Sequence, residues 1–150
     1  MRNSILLEIL FIILIGLLSG LIYNSISATG IPILYRTVET TSDQYLDVQQ
    51  MEKIIAGKRA LIIDARSPEE YNSGHLQDAV NIPGYAPVGQ IMGALVDISK
   101  DRLIVAYCSG MSCPFADRIA GFLRFQDYRA VFVFPGGIEA WTAAGNSLIK

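Results

Sequence analysis

Between Ile5 and Tyr23 the chain runs for 19 residues with one charged side chain, Glu8. No other stretch restricts the fold so severely. A helix crossing the hydrocarbon core of a bilayer needs roughly 20 mostly apolar residues, and this run meets that length. Glu8 stands near its start, where a carboxylate reaches headgroups or water at tolerable cost. Gly16 and Gly20 stand four apart, a small-xxx-small spacing that lets a neighbouring helix come close, although glycines are common in membrane helices on any account. A retained anchor and a cleaved signal peptide compete for the segment. The positive region before it is thin, Arg2 and the terminal amine, and Ser25-Ile26-Ser27-Ala28 is a poor cleavage site. The apolar run also exceeds the roughly 7–15 residues of a signal peptide. The anchor is the preferred reading. Arg2 and the amine precede the helix while the next basic residue, Arg36, lies well beyond it, so the positive-inside rule sends the following domain out of the cytoplasm. The expected organisation is an anchor and linker over residues 1–35 and one domain over 36–150.

The composition narrows what that domain can do. The 150 residues are 51% hydrophobic and 17% charged, too apolar for a disordered chain. A net charge of -2 offers no basic face for nucleic acid. Two cysteines and one histidine make no four-ligand zinc site without recruiting carboxylates. They allow one bridge, not a disulfide scaffold. A dinucleotide-binding fingerprint, a P-loop and a paired-histidine metalloprotease helix are all missing from the sequence. No metal site is expected.

Beyond a Gly30- and Pro32-containing linker, Thr37, Val38 and Thr40 suggest a short strand. Residues Tyr45 to Ala56 carry a rough helical period that Gly57 ends. Ala60-Leu61-Ile62-Ile63 is a continuous apolar run of the kind buried on both faces of a parallel sheet. Ser67-Pro68-Glu69-Glu70 is a helix start: a capping hydroxyl, proline at the first position, acids in the first turn. Ala79 to Ile82 reads as a second short strand, Val88 to Ile98 as a helix weakened by Gly89 and Gly93, and Leu103 to Tyr107 as a central strand. Phe115, Ile119, Phe122 and Leu123 mark one face of a helix. Val131 to Phe134 is the last strand, stopped by Pro135-Gly136-Gly137. Strands alternating with helices predict an α/β domain with a parallel sheet covered on both faces.

Ligands of open α/β sheets bind beyond the carboxyl ends of the strands. Cys108 sits there, directly after Leu103–Tyr107. The loop Ser109-Gly110-Met111-Ser112-Cys113 follows and leads to a helix with Pro114 at its expected first position. Unpaired backbone N–H groups and the helix dipole at such a place favour an anion, lower a thiol's pKa and stabilise the nucleophilic thiolate. A buried cysteine ending a strand is the bland alternative. Trp141 is expected to pack, Gly136 and Gly137 to make a tight turn, and Asp64 and Arg66 to pair with each other or with nearby backbone. Tyr107 should point away from Cys108, because side chains alternate along a strand.

Asp64-Ala65-Arg66-Ser67-Pro68-Glu69-Glu70-Tyr71, then Gly74-His75-Leu76 through Ala79-Val80-Asn81-Ile82-Pro83, resembles the opening signatures of the rhodanese (sulfurtransferase) family. Tyr107-Cys108 and Pro135-Gly136-Gly137-Ile138-Glu139-Ala140-Trp141 resemble its active-site strand and closing motif. The resemblance spans residues 45 to 147. It implies a parallel five-stranded sheet flanked by helices, with Cys108 as the sulfur-carrying nucleophile and Ser109 to Cys113 as the substrate loop. His75 then belongs to a structural turn. The implied reaction takes sulfane sulfur from a donor (thiosulfate, polysulfide or protein persulfide), holds it as a persulfide on Cys108, and passes it to a thiol or cyanide-type acceptor, with no cofactor.

Two departures bear on that reaction. Related phosphatases of this fold use a longer loop ending in arginine, whereas no Arg or Lys lies between Cys108 and Pro114, so phosphate chemistry lacks its cationic clamp. Glycine comes second after the cysteine rather than third, and the last loop position, often arginine in the family, is Cys113. A doubly charged donor such as thiosulfate is then held by N–H groups and hydroxyls alone, and polysulfides or protein persulfides become the better donors. Cys113 also supplies a second thiol, as a redox partner of Cys108 or simply as a helix-start residue; sequence leaves this open. Sulfur transfer is the preferred function. A thiol–disulfide redox protein using both cysteines and a non-catalytic binding domain at the membrane are the alternatives.

Overall fold

The computed structural model describes residues 2–26 and 44–150. The chain divides into two units, Met1–Thr37 and Val38–Lys150. The expected strand at Thr37, Val38 and Thr40 lies outside the described residues, as do Gly30 and Pro32 of the linker. In the first unit, α1 (Arg2–Ile26) is a single helix. Its apolar side chains fall on every side, Leu6, Leu7, Ile9 and Leu10 among them, and all four are exposed. Over Ile5–Asn24 it is long and apolar enough to cross a membrane.

The second unit follows the predicted alternation: α2 (Val48–Gly57), β1 (Leu61–Asp64), α3 (Pro68–Ser73), β2 (Ala79–Asn81), α4 (Val88–Gly93), β3 (Ile104–Tyr107), α5 (Phe115–Phe125), β4 (Val131–Phe134) and α6 (Gly137–Ala143). The strands form one parallel sheet in the order β2-β1-β3-β4. Alternation along each strand separates two cores. Ile63, Ile104, Ala106, Cys108 and Val133 pack with Ile91 of α4 and with Ile119, Ala120 and Leu123 of α5. Ile62, Val105, Tyr107 and Phe134 face the other way, against Met51 and Ile55 of α2 and Trp141 of α6. Apolar residues at consecutive strand positions are therefore needed, because both faces of the sheet are covered.

Local signals fix the helix ends. Asp47 and Gln50 form a reciprocal capping box at α2, each side chain accepting from the other's backbone N–H at 2.8 Å. Ser67 and Glu70 do the same at α3, where Pro68 takes the first turn as expected.

Three expectations need correction. The sheet of the described residues has four strands, not five. Beside β4 the chain makes one parallel bridge, Tyr45 to Val133, and Leu46 N–H donates to the Val133 carbonyl at 2.8 Å. Asp47 then caps α2 at once, so the chain leaves the sheet edge before a strand is built. The helix expected from Val88 to Ile98 is α4 alone. It ends at Gly93, and the chain continues to Ile98 in turns, consistent with the low helix propensity of glycine and with no side-chain cap at Pro87. Pro114 stands just before α5 as its N-cap, one position earlier than expected.

Candidate active site

Cys108 follows the last residue of β3, an interior strand, and is 2% exposed. From there the loop crosses to α5. Its backbone is tied down on one side only. The carbonyls of Cys108 and Ser109 accept from the N–H groups of Ile138 and Glu139, at 3.1 and 2.9 Å, in the first turn of α6. A trans peptide points its carbonyl and the following N–H in opposite directions, so the N–H groups of Ser109 and Gly110 face away from α6. The Cys113 N–H closes a turn onto the Gly110 carbonyl at 3.0 Å. The N–H groups of Ser109, Gly110, Met111 and Ser112 donate to no acceptor among the described residues. Four successive backbone donors without a protein acceptor are therefore left on this loop, and free N–H groups of this kind favour an anion.

Two glycines allow this arrangement. Gly137 has φ +52°, and a Cβ there would overlap the Cys108 carbonyl oxygen. Only a residue without a side chain lets α6 come close enough to hold the loop. A Cβ at Gly110 would overlap the carboxylate of Glu139, so the loop and that acid are in direct contact. On another side Ser109 Oγ donates to Glu70 Oε1 at 3.2 Å, while Glu70 Oε2 accepts the Ser67 N–H at 3.2 Å. Two exposed carboxylates therefore flank a loop that contains no cation.

Cys108 and Cys113 are joined by a disulfide, with their Cα atoms 6.1 Å apart, inside the span a disulfide bridges. The loop thus brings together all six expected site residues and puts its two sulfurs in bonding contact. They differ in exposure: Cys108 is buried, Cys113 half-buried, and Met111 at the loop's tip is 77% exposed.

Behind the loop, Tyr107 points to the opposite face, as alternation predicts. Its hydroxyl donates to Asp64 Oδ2 at 2.6 Å and accepts the Leu76 N–H at 3.1 Å. Burial first, then the charge of Asp64, push this hydroxyl's pKa well above its ordinary value. Asp64 also binds Arg66 at 2.7 Å in a buried ion pair, and Arg66 donates to the Gly74 carbonyl at 2.8 Å. His75 stacks on Tyr71 with ring centroids 3.8 Å apart and bridges to Ile149, away from the loop in structural company. Trp141 packs in the core and donates to the Ser147 carbonyl at 3.1 Å.

Glu70 and Glu139 are neighbours of the loop that the sequence does not reveal. Both sit in segments with recognisable patterns, a helix start and a Gly-Gly turn, yet nothing local says which way those segments face.

The second unit is a parallel α/β domain with a cysteine-containing loop at the carboxyl end of an interior strand. The chain belongs to the rhodanese-like domain family, whose model matches residues 47–144. It is 32% identical over 113 residues to a tRNA uridine(34) hydroxylase of Onion yellows phytoplasma (strain OY-M), a match covering 72% of this chain and 36% of that protein. The chain thus spans little more than a third of that relative's length. Among solved structures it is similar to the BH2092 protein from Bacillus halodurans, with a TM-score of 0.63 and 25% identity over 71% of this chain and 77% of that one. It also shares its fold with a thiosulfate sulfurtransferase from Pseudomonas aeruginosa, with a TM-score of 0.58 and 19% identity over 70% of this chain and 20% of that one.

Proposed function

We propose that this protein is a membrane-anchored sulfurtransferase that carries sulfane sulfur on Cys108. The observation that supports the reading most is the loop itself: four free N–H groups in succession after a buried, strand-end cysteine, in a rhodanese-like domain. In the reduced protein the Cys108 thiolate attacks the terminal sulfur of a donor persulfide. A new S–S bond forms at Cys108, the donor's S–S bond breaks, and the donor leaves as a thiolate. The bound persulfide is an anion at neutral pH, and the loop N–H groups stabilise it without any cation. An acceptor thiolate then attacks the outer sulfur and releases the Cys108 thiolate.

Charge around the loop favours some donors over others. Glu70 and Glu139 repel a dianion such as thiosulfate, and no lysine or arginine in the loop offsets them. Low-molecular-weight persulfides and protein persulfides, with a single negative charge at the reacting sulfur, are the donors that fit. The anchor is α1, and the charge asymmetry around it favours a domain outside the cytoplasm.

The reading is tested by turnover of the detergent-solubilised full-length protein with cysteine persulfide as donor and a thiol as acceptor. Cys108→Ser should abolish transfer while the circular dichroism spectrum stays that of the parent, since serine is nearly isosteric and cannot hold a persulfide. Undiminished transfer in Cys108→Ser would overturn Cys108 as the sulfur carrier, and no transfer by the parent would favour a non-catalytic binding domain.

A further inference from the structure

We propose that Cys113 is a resolving thiol, so that the loop reduces the sulfur it takes up and releases it as hydrogen sulfide. This rests on the reading above, in which Cys108 carries the sulfur. The geometry points to it because the two sulfurs are in bonding contact across a loop of six residues. Reducing that bond leaves the Cys113 thiol beside the inner sulfur of any persulfide built on Cys108. The turn from Gly110 to Cys113 and the two bonds from the loop to α6 hold both ends of the loop in that relation.

The step balances without an outside oxidant. The Cys113 thiolate attacks Cys108 Sγ, the Cys108–Cys113 bond forms, and the bond from Cys108 Sγ to the outer sulfur breaks. That sulfur leaves as hydrosulfide and takes up a proton. Two thiols have been oxidised to a disulfide, and one sulfane sulfur has been reduced by two electrons. A dithiol reductant, a small molecule or a partner protein, resets the loop.

The exposure of the two cysteines gives that resetting a direction. Cys113 is half-buried and Cys108 is 2% exposed, so Cys113 is the more open of the two residues to an incoming thiolate. Cys108 is then the leaving group. The free N–H groups of Ser109 to Ser112 stabilise its thiolate, and a thiol of lower pKa leaves faster. One residue takes the sulfur and leaves first, while the other faces the reductant.

The full-length protein in detergent is reduced, freed of reductant and treated with one equivalent of cysteine persulfide. Intact mass and released sulfide are then followed in the parent, Cys113→Ser and Cys113→Ala. The parent should pass through a Cys108 persulfide to the internal disulfide and release one sulfide per chain. Both variants should keep the persulfide at least about tenfold longer, because they lose a thiol held in place for attack, and should release sulfide only when an external thiol is added. Equal persulfide lifetimes in parent and variants would overturn the resolving role while leaving sulfur carriage by Cys108 standing. So would loss of persulfide formation in both variants, which would make Cys113 a donor-binding group. Failure of the parent and both variants to take up sulfur would overturn both readings.

Discussion

Tyr107 joins the ends of β1 and β3 to the turn before β2, one residue ahead of the candidate nucleophile. Its hydroxyl gives a proton to Asp64 and takes one from the Leu76 N–H, both buried. Tyr107→Phe removes both bonds and leaves the Leu76 donor unpaired, so it should destabilise the domain by about 1–3 kcal/mol. A pH signature accompanies this loss. Folding raises the hydroxyl's pKa above the ordinary 10.0. The stability tied to the neutral hydroxyl is therefore fully present below that value and is lost as pH climbs past it toward the folded pKa. Urea midpoints of the parent should fall more steeply above pH 10 than those of Tyr107→Phe; parallel curves would mean the hydroxyl does not carry the alkaline limb. The acids beside the loop make a second prediction at this scale. Glu70→Gln and Glu139→Gln keep hydrogen-bond acceptors while removing charge. Each should raise kcat/KM with thiosulfate several-fold, as expected for about 1 kcal/mol of screened repulsion, and leave a neutral donor nearly unaffected. No gain with thiosulfate would remove charge as the reason for donor choice.

At the scale of elements, α3 begins where local chemistry says it should. Ser67→Ala breaks one half of the capping box and should cost about 1 kcal/mol in chemical denaturation. An unchanged midpoint would show that Pro68 and packing alone set that end. The four strands were legible in the sequence for the same kind of local reason: Leu61–Asp64, Ala79–Asn81, Ile104–Tyr107 and Val131–Phe134 lie within short apolar runs bounded by turn residues. The helix starts at Asp47 and Ser67 use backbone-capping side chains, which act over three residues. What was not legible depends on tertiary contact. The order β2-β1-β3-β4 follows from crossovers between distant segments. The single bridge at Tyr45, in place of a fifth strand, depends on how soon Asp47 starts a helix after the chain reaches β4. The six loop residues could be read from their place after a strand, yet Glu70 and Glu139 reach the loop from 39 and 29 residues away from Ser109 and Gly110. The bond between Cys108 and Cys113 was one option among several until the loop's shape was known.

At the scale of the whole molecule, a long apolar helix precedes a domain with its own two-sided core. The mature protein should stay in the membrane fraction through an alkaline carbonate wash, and a chain beginning at Arg36 should be soluble and folded. Recovery of mature protein starting near Ala28 would identify a cleaved signal instead. Protease added outside intact cells should digest the domain; protection would reverse the proposed orientation. The central claim is that Cys108 carries the sulfur, and the most direct test is to locate that sulfur. Reduced Cys113→Ser protein is loaded with cysteine persulfide, alkylated, digested and mapped by mass spectrometry. One additional sulfur is expected on the peptide containing Cys108, and none in the Cys108→Ser protein treated in the same way. An unmodified Cys108 in the folded, loaded protein would overturn sulfur carriage by this residue.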